Sequence, residues 1–415
     1  MGTGRGPRRP GALFVNQASR AGLVGPLASW ITIAGWAAAA ERRYGAAWMA
    51  TTEGVLDPAG ALARATDPVR TAAAVAGWRR RIPQVARTAV NDAKRPRANR
   101  RFTDTLARGP WDDADVQFVM QLHGLACDAG LRVAERLAVP SVLVVDAVQV
   151  EEAHSWGTHR PGWERIALRL GEVPQLRRAD LVVCISAEVS ESVIRCTGRR
   201  TGVVTIPNGV DTELFSPGPA DAGLRHELGL DDAFVVGWAG SFRRFHGLET
   251  LVDAAAVLTN RVPNLRVLLL GDGFQRAAIE ERARARGVDL VLPGTIAYTR
   301  VPEYLRCMDA AVVLADPART FHYSPVKLRE YQACGLPVVA SGIGEMARDL
   351  HGDVDARLVP PGDVAALADA LQRLHGDPAG ARRLAAAGRA QVEANGSWTS
   401  RLVEVERLLG IQPRT

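Results

Sequence analysis

The sequence predicts an α/β protein built from two doubly wound, parallel-sheet domains that face each other across a cleft, with a last helix crossing back. Three observations point there. Short apolar runs alternate with helical patterns through the second half, the same alternation recurs less sharply in the first, and a Pro, Asn and Gly cluster separates the two. A length of 415 residues is long for one core and suits two of roughly 200.

Taken in order, "ALFVNQ" reads as the first strand, followed by a loop of small residues, "ASRAGLVGPLAS", and a helix to Arg43. "DVQFVMQLHG", "PSVLVVDA" and "ADLVVCIS" are three further strands, and "TGVVTI" runs into the breaker-rich "IPNGVDTELFSPGPADAG". Beyond it, "AFVVGWAG", "LRVLLLGDG", "DLVLPG", "AAVVLA" and "LPVVAS" are apolar enough to be buried on both faces, as parallel strands are. Helices fall between them at "GLETLVDAAAVLTN", "FQRAAIEERARARG", "VPEYLRCMD" and "SPVKLREYQACG". The expected division is 1–205, 206–396 and a returning helix in 397–415, with ligand at the carboxyl ends of the strands.

Composition narrows the class. With 47% hydrophobic and 23% charged residues the chain is an ordinary globular protein. Its five cysteines are scattered without metal-ligand spacing, which fits a reducing compartment and argues against a zinc site or a disulfide framework. The basic N-terminus lacks the apolar core of a signal peptide, and the apolar stretch around Trp30 to Ala40 is too short for a bilayer. A cytoplasmic protein is expected. Of its net +6, residues 78–101 carry +8 (nine cations, one acid), leaving about −2 elsewhere. That stretch is either a solvated helix or a contact for an anionic partner, an acidic acceptor or the inner face of a membrane. Nucleic acid is not expected, since no aromatic residues interleave with the cations.

Almost every cation is arginine, as in a high-GC genome; only Lys94 and Lys327 are lysine. Lys327 stands out because a compact ammonium fits where a planar guanidinium does not. Ser324 and Pro325 read as an N-cap and first helical residue, so a helix should start there and present its positive end to an anion. Lys327, Glu330 and Tyr331 then share one face, where the carboxylate could accept from a ribose diol. A plain surface Lys–Glu pair is the alternative. Arg243, Arg244 and His246 lie in the loop after "VVGWAG", where cations could neutralise a diphosphate. The "GDG" at Gly271 is a strand-end turn and weak evidence alone.

In combination, "IPNGVDTELFSP", "GWAGSFRRFHGLETLVDA", "VLLLGDG", "YLRCMDAAVVLA", "SPVKLREYQACGLPVVAS" and "ARLVPPGDVAALADAL" resemble the GT4 family of GT-B glycosyltransferases. The resemblance covers nearly all of residues 180–410 and only the outline of the first half. It implies a retaining, metal-independent transferase without a cofactor. A nucleotide-diphosphate sugar, UDP- or GDP-linked, would sit in the second domain and the acceptor in the first. Glu330 matches the second glutamate of the family's E-x7-E element, which holds the donor ribose, and Tyr323, Ser324, Pro325 and Val326 would contact sugar and diphosphate. Three features depart from the pattern. The first glutamate falls at His322. The usual Arg and Lys of the phosphate loop fall at Ser241 and His246, so that Arg243 or Arg244 would substitute. The first-domain histidine falls at Asp146.

The resemblance further implies a front-face reaction, in which the acceptor attacks from the side the diphosphate leaves. Arg243 or Arg244 and Lys327 would serve the diphosphate, His322 the sugar, and Asp146 the acceptor or the oxocarbenium-like centre. His123 is a second cleft candidate, though a packed strand-end histidine explains it equally. Gly22 and Gly25 would let the first loop approach the phosphates. The expected acceptor is a small molecule of the specialised-metabolite kind, since no amphipathic anchor accompanies residues 78–101. A membrane enzyme acting on a lipid, and a silent nucleotide-sugar binder, are the alternatives. Oligomeric state is not legible.

Overall fold

The computed structural model describes residues 8–17, 28–66, 83–155, 158–319 and 323–412. In the first half, β1 (Pro10–Asn16), β2 (Ala47–Thr51), β3 (Gly54–Leu56), β4 (Asp115–Leu122), β5 (Ser141–Val145), β6 (Leu181–Cys184) and β7 (Val203–Thr205) form one sheet. Its order is β3-β2-β1-β4-β5-β6-β7, and only the β2–β3 pair is antiparallel. The second half holds β8 (Phe234–Ala239), β9 (Leu265–Leu270), β10 (Leu290–Gly294), β11 (Ala310–Val313), β12 (Val338–Ser341) and β13 (Arg357–Val359), in the order β10-β9-β8-β11-β12-β13. Every pair in that sheet is parallel. The two sheets are Rossmann-like, and each anticipated strand is present.

The apolar runs are strands because both their faces are covered. Every residue of β5 and β12 is buried, so neither could alternate polar with apolar. β2, β3 and β13 were not anticipated. β2 follows the helix Ala28–Tyr44 after only Gly45 (φ +80°) and Ala46, which leaves no punctuating loop. β3 and β13 have three residues each, too few to show a period.

Strand order reverses between β1 and β4 and between β8 and β11, which opens a crevice at the carboxyl end of each sheet. The final helix Trp398–Leu409 does cross back. Ser397 caps it by accepting from the Ser400 amide at 3.0 Å. Trp398 packs on Trp36 of the helix Ala28–Tyr44, ring centroids 5.3 Å apart. A Cβ at Gly35 would stand 2.2 Å from the Trp398 indole nitrogen, so the crossing needs glycine there. Arg43 and Tyr44 both donate to Glu406 on the returning helix. The returning helix thus ties the end of the chain to the first sheet's leading helix.

Candidate active site

The site is built first from backbone. After β8 the chain turns through Gly240 (φ +148°), and after β9 through Gly271 (φ +118°). A Cβ on Gly271 would stand 2.0 Å from the Gly240 carbonyl oxygen, so the two loops touch main chain to main chain. The loop after β8 carries Ser241, half-buried, whose carbonyl accepts from the Arg243 amide at 2.8 Å. A short 3-10 turn, Arg244–His246, leads to the helix Leu248–Leu258. The two arginines part company here. Arg244 is exposed, whereas Arg243 is half-buried and its charge acts on both His246 and Tyr323.

Facing this loop is the helix Val326–Ala333. Its start corrects the sequence reading. Ser324 is not the N-cap: its hydroxyl accepts from the Asn208 amide at 3.0 Å, and its carbonyl from the Asn208 side chain at 2.9 Å. Pro325 occupies the cap position instead, with no side-chain cap bond. The hydroxyl was drawn away by the "IPNG" segment, a partner 116 residues distant in the chain. Tyr323 stacks on Phe245 across the site, 4.8 Å between centroids at 24°.

Lys327 and Glu330 do not form a surface pair. Glu330 is 7% exposed, and its carboxylate accepts from the Tyr298 hydroxyl at 2.8 Å. Burial pushes its pKa up to about 7, against the Tyr298 bond and the Lys327 charge, which act downwards. The Lys327 ammonium turns to Trp238, 4.1 Å from the ring centroid, and to His246 Nδ1 at 3.5 Å. Burial draws its pKa down to about 7, with Glu330 opposing. His246 is held well below the ordinary imidazole range by burial and by the charges of Lys327 and Arg243, so it is neutral. Tyr331, placed on the same face by spacing, serves the scaffold: it is fully buried and its hydroxyl accepts from the Ala239 amide at 2.6 Å.

On the first-half side, Asp146 directly follows β5 and is half-buried. His123 follows β4, and its Nε2 lies 2.7 Å from Glu172. Glu172 is fully buried and also accepts from the amides of Gln149 and Val150, each at 2.8 Å. The strand-end reading of His123 accounts for this packing. Arg348 to Glu188 and the Ala187 amide to Glu345 tie the two halves together. His322, Gly22, Gly25 and residues 78–82 of the arginine-rich stretch lie outside the described residues. Among the described residues no group of three or more His, Cys, Asp or Glu could hold a metal ion.

Sequence reasoning missed Trp238, Tyr298, Asn208 and Glu172. Trp238 was visible as a lone tryptophan in an apolar strand, and Asn208 as part of "IPNG". Tyr298 and Glu172 gave no signal, because each reaches its partner only through the fold.

Comparison with known proteins fits this geometry. Residues 233–377 match the family described as glycosyl transferases group 1, and residues 59–214 match Glycosyltransferase Family 4. The chain is 31% identical over 354 residues to D-inositol 3-phosphate glycosyltransferase 1 of Catenulispora acidiphila, covering 80% of this chain and 79% of the relative. It is 27% identical over 261 residues to a GDP-mannose-dependent alpha-(1-6)-phosphatidylinositol monomannoside mannosyltransferase of Mycolicibacterium smegmatis, covering 60% and 68%. The crystal structure of Anabaena HepE in complex with UDP superposes with a TM-score of 0.66 at 19% identity, over 97% of this chain and all of that one, which shows the shared fold. Two Rossmann-like sheets, a returning helix and these relatives together establish that the chain belongs to family 4 of the GT-B glycosyltransferases.

Proposed function

We propose that this glycosyltransferase moves a sugar, with retention and without a metal ion, from a UDP- or GDP-linked donor to a small-molecule acceptor. The observation that carries the reading is the inward pair on one helix: Lys327 and Glu330, side by side at the crevice between β8 and β11. Glu330 accepts from the ribose hydroxyls while Tyr298 steadies the carboxylate. Lys327 and Arg243 stabilise the charge that grows on the leaving diphosphate, and catalysis is mainly positioning and charge stabilisation. A phosphate oxygen takes the acceptor proton. His322 attends the sugar, and Asp146 orients the acceptor or stabilises the oxocarbenium-like centre. Donor contacts fall in residues 206–396, acceptor contacts in 1–205.

Relatives named for inositol phosphate and for a phosphatidylinositol mannoside make polyol phosphates the first acceptors to try. UDP bound to HepE and the GDP-mannose dependence of the mannosyltransferase keep both bases open. A thermal-shift panel of UDP, GDP, ADP and TDP tests the site. A diphosphate at a hundred times its Kd should stabilise the fold by about 2.7 kcal/mol. No shift with any of the four would sink the donor site; binding without turnover across acceptors would favour the silent binder.

A second reading has its own observation. The helix Glu164–Gly171 has no buried residue and exposes Ile166 (57%) and Leu170 (75%) beside the exposed Arg165 and Arg169. The fold sets this short helix, with apolar and basic residues both exposed, next to the basic stretch. Asp92 of the arginine-rich helix Gln84–Thr105 binds Arg160 and Trp163, just ahead of Glu164–Gly171. Leu170, Arg100, Arg132 and Arg178 line a shared cavity of about 500 Å³. Such a face suits an anionic membrane surface. Sedimentation with vesicles containing phosphatidylglycerol, weakened by salt and by I166S/L170S, would support it; equal partitioning of wild type and variant would end it.

A further inference from the structure

The Lys327 side chain ends in a seat made of three parts. Its Nζ lies 4.1 Å from the Trp238 ring centroid and 3.5 Å from His246 Nδ1. The third part is a missing side chain: a Cβ at Gly240 would stand 2.7 Å from Nζ. Each wall is itself fixed. Trp238 is fully buried, edge-on to Phe242 at 5.4 Å and to His246 at 5.2 Å. His246 also packs on Phe245 at 4.2 Å, and the Tyr331 hydroxyl pins Ala239, the residue between Trp238 and Gly240.

The chemistry of the seat is one-sided. An indole face and the lone pair of a neutral imidazole are both electron-rich, and both suit a cation. The other charged groups facing it are Arg243, from the loop after β8, and Glu330, from the same helix as Lys327 with Tyr298 behind it. At 3.5 Å the contact with His246 is at the outer limit of a hydrogen bond. The imidazole therefore orients the ammonium and leaves its other protons for a phosphate oxygen.

We propose that Trp238, His246 and Gly240 are positioning residues that hold the Lys327 ammonium at the carboxyl edge of β8, aimed at the donor diphosphate. The inference rests on the reading of Lys327 as a diphosphate cation. It offers a reason for lysine in an arginine-rich chain: the compact Nζ stands 2.7 Å from where a Cβ at Gly240 would be, close quarters for a branched, planar guanidinium. It also gives His246 a role without charge, as acceptor to a cation delivered from the facing helix.

The test measures affinity for UDP, GDP, ADP and TDP by calorimetry on the full chain, with unliganded melting recorded for every variant. K327M should weaken the diphosphate that binds by about 10- to 100-fold, the loss of a charged hydrogen bond. H246L should weaken it about 10-fold, and H246Q, which keeps an acceptor, should restore most of that. In a K327M background H246L should cost nothing more, because the group it positions is gone. W238F, whose smaller ring offers a weaker face to the cation, serves as the second variant if H246L melts early, and its loss should likewise vanish in K327M.

The outcomes separate the two claims. If none of the four diphosphates binds, or if K327M binds as well as wild type, the diphosphate role of Lys327 fails and takes the inference with it. If K327M weakens binding but H246L and W238F do not, the positioning inference alone is overturned. Losses from H246L that add in full to those of K327M overturn it as well.

Discussion

Glu330 and Lys327 show how far one residue's surroundings can move its chemistry. Both have pKa values brought to about 7, one from above and one from below, by the same burial. A nucleoside diphosphate beside Lys327 favours its charged form, so binding at pH 7 to 8 should take up protons. Calorimetry in buffers of different ionisation enthalpy reads this directly, and K327M should abolish the uptake. Ribose hydroxyls donating to Glu330 favour the carboxylate and release protons, so Glu330→Ala should increase the net uptake. The same variant should weaken nucleotide binding by about 1.5–3 kcal/mol, and unchanged affinity would remove Glu330 from the site. The glutamate and lysine were legible from spacing and helix-start chemistry. Their partners Tyr298 and Trp238 were not, because 32 and 89 residues of chain separate them and only the sheet brings them together.

At the scale of elements, strand ends rather than side chains set the shape of the crevice. Gly271 combines a left-sided φ with a main-chain neighbour where its Cβ would be, so Gly271→Ala meets both strain and collision. A loss of at least about 1–3 kcal/mol is expected, read by denaturant unfolding, with nucleotide binding weakened beyond what the stability loss explains. A stable G271A with normal affinity would mean the two loops can part freely. The helices were visible in the sequence by period, yet the start of Val326–Ala333 was misplaced by its own best signal. A Ser-Pro pair is strong cap chemistry, and it yielded to the buried Asn208, whose amide groups needed the Ser324 oxygens. Local propensity loses where a buried polar group from a distant segment claims the same atoms.

For the molecule as a whole, stability across the cleft depends on a few crossings. Trp398 is almost fully buried against the first helix, so Trp398→Ala should cost about 3–5 kcal/mol, and Gly35→Ala, which crowds the same ring, about 1–3 kcal/mol. Equal melting of wild type and G35A would show that the returning helix is not seated there. The Arg348–Glu188 clasp is of another kind. Burial raises the Glu188 pKa, but the Arg348 bond and charge, together with hydrogen bonds from its own backbone amide and Ser186, outweigh it and leave a net depression below 4.5. Its stabilisation is present above pH 4.5 and should fade as pH falls through the depressed value. Because both side chains keep solvent contact, R348A should change stability by under about 1 kcal/mol and show its effect in domain closure, read by small-angle scattering with and without nucleotide. The sequence by itself determined the two parallel sheets, the crossing helix and the donor-side motif, because buried parallel strands, caps and glycine turns are written in local composition. Only the tertiary structure decided which arginine faces inward, that Lys327 meets an indole and an imidazole, that His123 pairs with Glu172, and that an apolar helix face adjoins the basic stretch. Each of those is a contact between distant segments, and no local pattern encodes the distance at which two segments meet.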